Sequence, residues 1–148
     1  MSNYEGVKFT VQGIPVAKGR PKFARRGNFV KAYTPQATVS YENLVKLSFL
    51  QAVGPEFKPY DQAICVRVNA HFARPKGHFG TGRNEGVLKK SAPEHMMVKP
   101  DADNVVKAVI DALNGVAFLD DKQIIHVHGS KAYSERPRCE VEICTIQF

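Results

Sequence analysis

The feature that most restricts how this chain can fold is a strict alternation of apolar and polar residues near its middle. In the segment AICVRVNAHFA (63–73), every second side chain is apolar, beginning with Ile64, whereas Arg67, Asn69 and His71 fall between them. Successive side chains of a strand point to opposite faces of its sheet, so this pattern predicts a strand with one apolar and one polar face. The apolar face requires a second layer of structure to cover it.

One helix of that second layer is predicted to begin near Asp101 and to stop at Asn114 and Gly115. Its apolar side chains recur three and four residues apart, which places them on a single helix face. They are Val105, Val106, Val109, Ile110 and Leu113. An Asn-Gly pair is a common helix end, because glycine readily adopts the left-handed backbone found there.

A second helix is predicted earlier in the chain, through SYENLVKLSFLQAV (40–53). Thr34 is expected to cap it, with Pro35 at its first position, and it should end near Gly54 and Pro55. The side chains expected on its surface are Leu44, Leu47, Ser48 and Gln51 along one side, with Tyr41, Val45 and Leu50 as further apolar surface.

The remaining apolar segments read as strands. These are VKFTV (7–11), KQIIHVHGSKAY (122–133) and RCEVEICTIQF (138–148), the last two expected to pair as a hairpin through a turn near 134–137. The order β-α-β-α-β-β predicts an α+β fold with two helices on one face of a small mixed sheet. A chain of 148 residues suits one core better than two, so we expect residues 1–148 to form a single domain.

Two segments rich in Gly, Pro and basic residues interrupt this pattern. GIPVAKGRPKFARRGNFVKAY (13–33) is expected to form either a long loop or an irregular edge hairpin. RPKGHFGTGRNEGVLKKSAPEH (74–95) has no useful period, and a loop of that length is usually functional or disordered. It is also suited to be an arm that becomes ordered on nucleic acid.

The first of these segments carries much of the chain's excess positive charge. The formal net charge is +7, which favours a polyanionic partner. From Lys18 to Lys31 there are six basic residues and no acid, with Phe23, Phe29 and Tyr33 interleaved. Basic residues neutralise phosphates and aromatic rings stack on unpaired bases, so the segment predicts nucleic-acid binding. The alternative is a solvated loop whose aromatic side chains pack locally.

Four carboxylates flank the later helix of this basic chain. Asp101 and Asp103 lie at its start, where Asp is a common cap, and Asp120 and Asp121 follow its end, where a solvated turn would explain them. The helix between them spans about 16 Å, so the two pairs share a site only if the chain folds back along it. Converging carboxylates would suit Mg²⁺ or Mn²⁺ and the hydrolysis of a phosphodiester.

Lys107 lies one helical turn beyond Asp103. Its ammonium is placed to approach a phosphate bound near the carboxylates. A surface ion pair with Asp103 or Asp111, each four residues away, is the simpler interpretation.

The cysteine and histidine patterns favour neither a disulfide-stabilised secreted protein nor a zinc-binding protein. Three cysteines in apolar strand contexts favour free thiols in a reducing cytosol, and the five histidines form no recognised ligand set. No signal peptide is recognised at the start, and no apolar run reaches the roughly 18 residues that span a bilayer. We therefore expect a cytosolic protein with no membrane partner.

The segment KPDADNVVKAVIDALNGVAFLDDKQI (99–124) resembles the RusA-like Holliday-junction resolvases of bacteria and their phages. It matches that family's Lys-Pro-Asp-x-Asp-Asn opening, its Asp-Ala-Leu-Asn-Gly helix end and its Asp-Asp-x-Gln-Ile continuation. PVAKGRPKFARRG (15–27), followed by YTP (33–35), is also similar to the family. The resemblance covers most of the chain and is weakest in the loop 74–97.

The resemblance implies a Mg²⁺-dependent endodeoxyribonuclease that acts as a homodimer on four-way DNA junctions and makes paired nicks. By position in the motif, Asp101, Asp103 and Asp121 correspond to the metal-binding acids and Lys107 to a lysine important for catalysis. Asp120 is the alternative to Asp121. The implied DNA-contact residues are Lys18, Arg20, Lys22, Arg25 and Arg26. Mn²⁺ is a possible substitute for Mg²⁺.

Two other functions remain open on the residues alone. One is a branched-DNA or flap endonuclease of phage origin, and the other is a non-catalytic basic DNA-binding module whose acids only cap a helix. A bacterial chromosome, a prophage and a lytic phage are equally compatible sources of the sequence.

Overall fold

The alternating segment lies inside a four-stranded sheet, as its pattern predicts. The computed structural model describes residues 5–146, and within that range the α+β fold is confirmed. In chain order the elements are β1 (Gly6–Gln12), β2 (Lys22–Arg26), β3 (Phe29–Tyr33), α1 (Gln36–Val53), β4 (Ile64–Phe72), α2 (Ala102–Leu113), β5 (Ile124–Tyr133) and β6 (Arg138–Thr145). No helix in this part of the chain is both long enough and apolar enough to cross a membrane.

The sheet has the strand order β1-β6-β4-β5 and is mixed. β4 and β5 are parallel because α2 connects them as a crossover, whereas β6 is antiparallel to both β4 and β1. The hairpin predicted for β5 and β6 is therefore wrong. The turn between them is short, but β4 lies between the two strands and pairs with each. The last two residues of the predicted strand 138–148 lie outside the described residues.

One face of the sheet forms the core with the two helices, which confirms the predicted layers. The buried residues of β4 are its alternate side chains, Ile64, Val66, Val68, Ala70 and Phe72. α2 buries its own apolar stripe against them, including Val105, Val109 and Leu113. Each such side chain contributes about 1.5–3 kcal/mol when it is fully removed from water. At Gly129, a Cβ atom would lie 2.5 Å from Val106 Cγ2, so glycine allows α2 to approach β5 closely.

α1 differs from its prediction in its cap. The helix begins at Gln36, the cap position is Pro35, and no side chain makes a cap hydrogen bond, so Thr34 does not cap it. The end at Gly54 is as predicted, with the positive φ of 81° that glycine tolerates. The buried side chains are Thr38, Tyr41, Val45 and Phe49. The exposed ones are Leu44, Leu47 and Leu50.

Of residues 13–33, only the second part, 22–33, forms the predicted hairpin, and 13–21 have no regular secondary structure. β2 and β3 pair with each other and, within residues 5–146, form a two-stranded ribbon separate from the main sheet. Gly27, with φ of 60°, occupies the first central position of its two-residue turn, where a type II′ turn needs glycine.

The glycine-rich loop after β4 is folded onto the main sheet rather than free. It contains two short 3₁₀ turns, Lys76–His78 and Gly82–Asn84. The Arg74 guanidinium lies 4.5 Å from the centre of the Tyr133 ring and donates a hydrogen bond of 2.6 Å to the Pro93 carbonyl. These contacts argue against the disordered arm that the composition allows.

Candidate active site

An open cleft of about 610 Å³ runs between α2 and β5. Its charged lining residues are Asp103, Lys107, Asp111 and Asp121, and its floor includes Val106, Ile110, Val127 and Gly129. Asp103, Lys107 and Asp111 are each four residues apart, so they follow one stripe of the helix, on which Asp103 and Lys107 are exposed and Asp111 is half-buried. The cleft therefore brings together three of the four residues predicted for catalysis.

Asp121 reaches the cleft because the chain reverses directly after α2. Gly115 has φ of 78° and its N–H donates to the Phe118 carbonyl at 2.8 Å, which closes a tight turn. Phe118 is fully buried and anchors this turn in the core. β5 then runs back along α2, with Gly129 near Val106 and Ala102.

The carboxylates occupy different parts of the cleft. Asp103 belongs to the first turn of α2, whereas Asp121 precedes β5 and lies toward the later turns of the helix, with Lys107 between them along the cleft. Among residues 5–146, no group of three or more His, Cys, Asp or Glu side chains is gathered closely enough to enclose a metal ion. A metal in this cleft would therefore need further oxygen ligands from water or substrate.

Asp101 occupies the cap position of α2 but does not act as a side-chain cap. Its backbone carbonyl accepts from Val105 N–H at 3.3 Å, while its carboxylate makes no cap hydrogen bond. It lines a smaller cleft of about 380 Å³, together with Arg20, Lys99 and Asn104. Helix capping therefore does not explain this exposed carboxylate.

Asp120 and Asp121 differ in what their carboxylates contact. Asp120 Oδ1 accepts from Lys122 N–H at 2.9 Å, and Gln123 Oε1 accepts from Asp120 N–H at 2.8 Å, so Asp120 caps a short 3₁₀ turn. The backbone hydrogen bond from Lys122 lowers the pKa of Asp120 below its ordinary value. Gln123 also donates to the Tyr60 carbonyl at 2.8 Å, which ties the turn to the body of the protein. Asp121 instead lines the cleft, which favours it over Asp120 as a ligand.

Lys107 is exposed in the cleft, and within the described part of the chain it enters no ion pair. The simpler interpretation, a pair with Asp103 or Asp111, is therefore not observed. Asp111 pairs with Lys18 instead, at 3.1 Å. The ammonium of Lys107 thus remains available to an anionic ligand.

Lys18 joins the two helices. Its Nζ lies 2.7 Å from Glu42 of α1 and 3.1 Å from Asp111 of α2, and its N–H donates to the Asn104 carbonyl at 2.9 Å. Burial disfavours the ammonium, but the bonds to Glu42 and Asp111 outweigh that effect and raise the pKa of Lys18. These contacts make Lys18 the least suited of the five predicted DNA-contact residues to bind a phosphate.

The other predicted DNA contacts lie at the root of the β2–β3 ribbon and on it. Arg20 lines the cleft beside Asp101, and Lys22 and Arg26 are exposed on β2. Arg25 is also exposed but donates from Nε to the Gly27 carbonyl at 3.2 Å. The interleaved aromatic side chains are exposed, which argues against the alternative of a solvated loop whose aromatic side chains pack locally. Their exposed fractions are 71% for Phe23, 79% for Phe29 and 47% for Tyr33.

Asp111 lines the cleft but was not predicted as a site residue; the sequence indicated it only as a possible ion-pair partner of Lys107. Its position four residues after Lys107 and eight after Asp103 was the available signal, because that spacing places all three on one helix stripe. Its pairing with Lys18 depends on a contact between segments more than 90 positions apart, which no local pattern indicates.

Comparison with known proteins gives two matches that cover nearly the whole chain. The model of the family described as endodeoxyribonuclease RusA matches residues 12–144. The chain is also 34% identical over 143 residues to the uncharacterized protein YqaN of Bacillus subtilis (strain 168), which covers 93% of this chain and 94% of that protein. The family match includes the ribbon, α2 and Asp121.

Proposed function

Because the chain belongs to the endodeoxyribonuclease RusA family, a family of Holliday-junction-resolving nucleases, we propose that it resolves four-way DNA junctions by Mg²⁺-dependent, paired symmetric nicks. The observation that supports this most directly is the cleft between α2 and β5, which brings Asp103, Lys107 and Asp121 together. The role would be in DNA recombination and repair in the bacterial cytosol.

The carboxylates of Asp103 and Asp121 in the cleft, with that of Asp101 at the start of α2, suit a hard divalent cation. Asp101 and Asp103 are exposed, and within the described residues neither is held in an ion pair or a cap hydrogen bond. Mg²⁺ is commonly held by one or two carboxylates, with water and substrate phosphate completing its coordination. Asp101, Asp103 and Asp121 would hold it here, and Mn²⁺ would substitute. When bound, the ion supplies Lewis-acid charge at the scissile phosphate.

The chain's own residues would orient the phosphodiester. Lys107 carries a positive charge between the carboxylates, where it would attract the phosphate and offset charge that develops during cleavage. Arg20 lies beside Asp101 and would hold a neighbouring phosphate, together with Lys22 and Arg26 on the ribbon. Hydrolysis would leave a 5′-phosphate and a 3′-hydroxyl.

We propose that residues 1–148 act as one domain and that two copies form the working enzyme. A symmetric pair of nicks needs two sites related by two-fold symmetry, and each chain supplies one acidic cleft. The continuous core formed by both helices with β1, β4 and β6, against which the two ends of β5 pack, supports the single domain.

Cleavage of a labelled four-way junction tests this function. Wild type and Asp101→Asn would be compared with and without Mg²⁺, because Asn keeps the size of the side chain and removes its charge. We expect symmetric nicks from the wild type with metal, and a rate at least about a hundredfold lower for Asp101→Asn. Junction binding by Asp101→Asn should be unchanged or tighter, since a negative charge near the DNA is removed.

Two results would favour the other functions. Equal cleavage of a flap or a plain duplex by the wild type would indicate a less selective nuclease. Tight junction binding with no cleavage in either Mg²⁺ or Mn²⁺ would contradict the enzyme and leave a DNA-binding module.

A further inference from the structure

The β2–β3 ribbon has two faces of different chemistry. Residues paired across antiparallel strands project to the same face, and neighbours along a strand project to opposite faces. The register therefore separates two sets. The basic face carries Lys22, Ala24, Arg26, Phe29, Lys31 and Tyr33, and the apolar face carries Phe23, Arg25, Val30 and Ala32.

The basic face combines three cations with two aromatic rings and has no acid. Arg26 is paired with Phe29, and Lys22 with Tyr33, so each ring has a cation directly across the ribbon. Phe29 is 79% exposed, so the core does not account for its presence. Aromatic rings beside cations form a binding surface for unpaired nucleotides, since a ring stacks on a base while the cation contacts the phosphate.

The apolar face lacks this combination. Its one cation, Arg25, directs its Nε–H to the Gly27 carbonyl and so stabilises the turn. Phe23 and Val30 are 71% and 66% exposed, but their cross-strand partners are Ala32 and Arg25. The two faces therefore provide an internal comparison between similar side chains in different charge environments.

The root of the ribbon is fixed next to the candidate active site. Gly19 N–H donates to Thr38 Oγ1 at 2.9 Å, and a Cβ atom at Gly19 would lie 2.9 Å from both Thr38 and Pro35. Lys18 is held by its ion pairs to α1 and α2, and Arg20 lines the cleft that contains Asp101. These contacts hold the root of the ribbon beside the start of α2, so a ligand bound to the ribbon would lie near that end of the helix.

We propose that the basic face binds unpaired or unstacked bases at a DNA branch, with Phe29 and Tyr33 as stacking surfaces, and that this contact makes the protein prefer branched DNA. The inference rests on the proposed endonuclease function. In a continuous duplex both faces of each base are already stacked, so the rings gain nothing there, whereas bases at a branch have a free face.

The test compares Phe29→Ala with Phe23→Ala, because both remove an exposed Phe ring from the same ribbon without a change in charge. Binding would be measured without divalent metal, on a synthetic four-way junction and on a linear duplex of matched length and salt. We expect Phe29→Ala to weaken junction binding about fivefold or more and to leave duplex binding nearly unchanged. Phe23→Ala should alter neither affinity, and Phe29→Trp should retain junction binding.

A second readout detects the stacking itself. A 2-aminopurine base at the crossover should be quenched on binding by the wild type and by Phe23→Ala, but less by Phe29→Ala. Equal effects of the two alanine variants, or equal loss of junction and duplex binding by Phe29→Ala, would overturn the inference. Wild-type cleavage in Mg²⁺ reports separately on the proposed function, so the inference and the proposed function can fail independently.

Discussion

At the scale of single residues, Asp120 and Asp121 show how two adjacent carboxylates come to make different contacts. The carboxylate of Asp120 accepts a backbone hydrogen bond in a capped turn, while Asp121 lines the cleft with Asp103 and Lys107. An acceptor that satisfies a backbone donor contributes to stability, whereas an exposed carboxylate without such a contact contributes little. The two positions should therefore separate stability from catalysis.

Alanine at these two positions should have opposite effects. Asp120→Ala removes the cap and should lower the urea concentration at the midpoint of unfolding, while junction cleavage persists. Asp121→Ala should leave unfolding within about 0.5 kcal/mol of wild type and reduce cleavage about a hundredfold or more. Urea unfolding and single-turnover cleavage measure the two quantities. Loss of cleavage in Asp120→Ala alone would assign the ligand to Asp120.

At the scale of secondary-structure elements, the spacing of α2 and β5 sets the width of the cleft. Gly129 permits this spacing, because a Cβ atom there would lie 2.5 Å from Val106 Cγ2. Val106 is buried against the core and has little room to move. A methyl group at position 129 must therefore push the strand and the helix apart.

Gly129→Ala should destabilise the protein by about 1–3 kcal/mol through overpacking. Gly77→Ala is the matched control, since a Cβ atom there meets nothing within 4 Å. In the double variant Gly129→Ala with Val106→Ala, the loss in the free energy of unfolding should be smaller than the sum of the losses in the two single variants. The reason is that alanine at position 106 makes room for the methyl group at position 129. Thermal or urea unfolding provides the comparison. Additive losses would show that the two positions are not in contact as described.

The elements also show where sequence patterns are informative. The alternation in β4 and the three-and-four spacing in α2 were sufficient to predict both elements and their buried faces. The sequence of α1 did not single out a buried face, because its apolar side chains occur around the helix, and the fold buries Val45 and Phe49 but leaves Leu47 exposed. The hairpin of β5 and β6 was also wrong, because local pattern does not reveal that β4 inserts between them.

For the candidate site, the sequence motif was sufficient to predict several of the residues, whereas their contacts with one another depend on the fold. Asp103, Lys107 and Asp121 were predicted together and do line one cleft. The engagement of Lys18 with Glu42 and Asp111 could not be predicted, because it depends on how α1 packs beside α2.

At the scale of the whole molecule, the proposed paired cuts require two clefts to act on one junction. A chain of 16.4 kDa should therefore behave as a species of twice that mass at working concentration, measured by light scattering. On a supercoiled plasmid with an extruded cruciform, the dimer should release linear product during one binding event. A monomer at all concentrations, with only nicked circles as product, would contradict the proposed dimer.

The position of β6 has a consequence for when the protein can fold. Among the four strands of the main sheet in residues 5–146, β6 is translated last, yet it lies inside the sheet and is the strand that joins β1 to β4. A nascent chain therefore cannot complete this sheet until β6 has emerged from the ribosome, although every cleft residue precedes β6 in the sequence. Loss of β6 would separate β1 from β4 and β5.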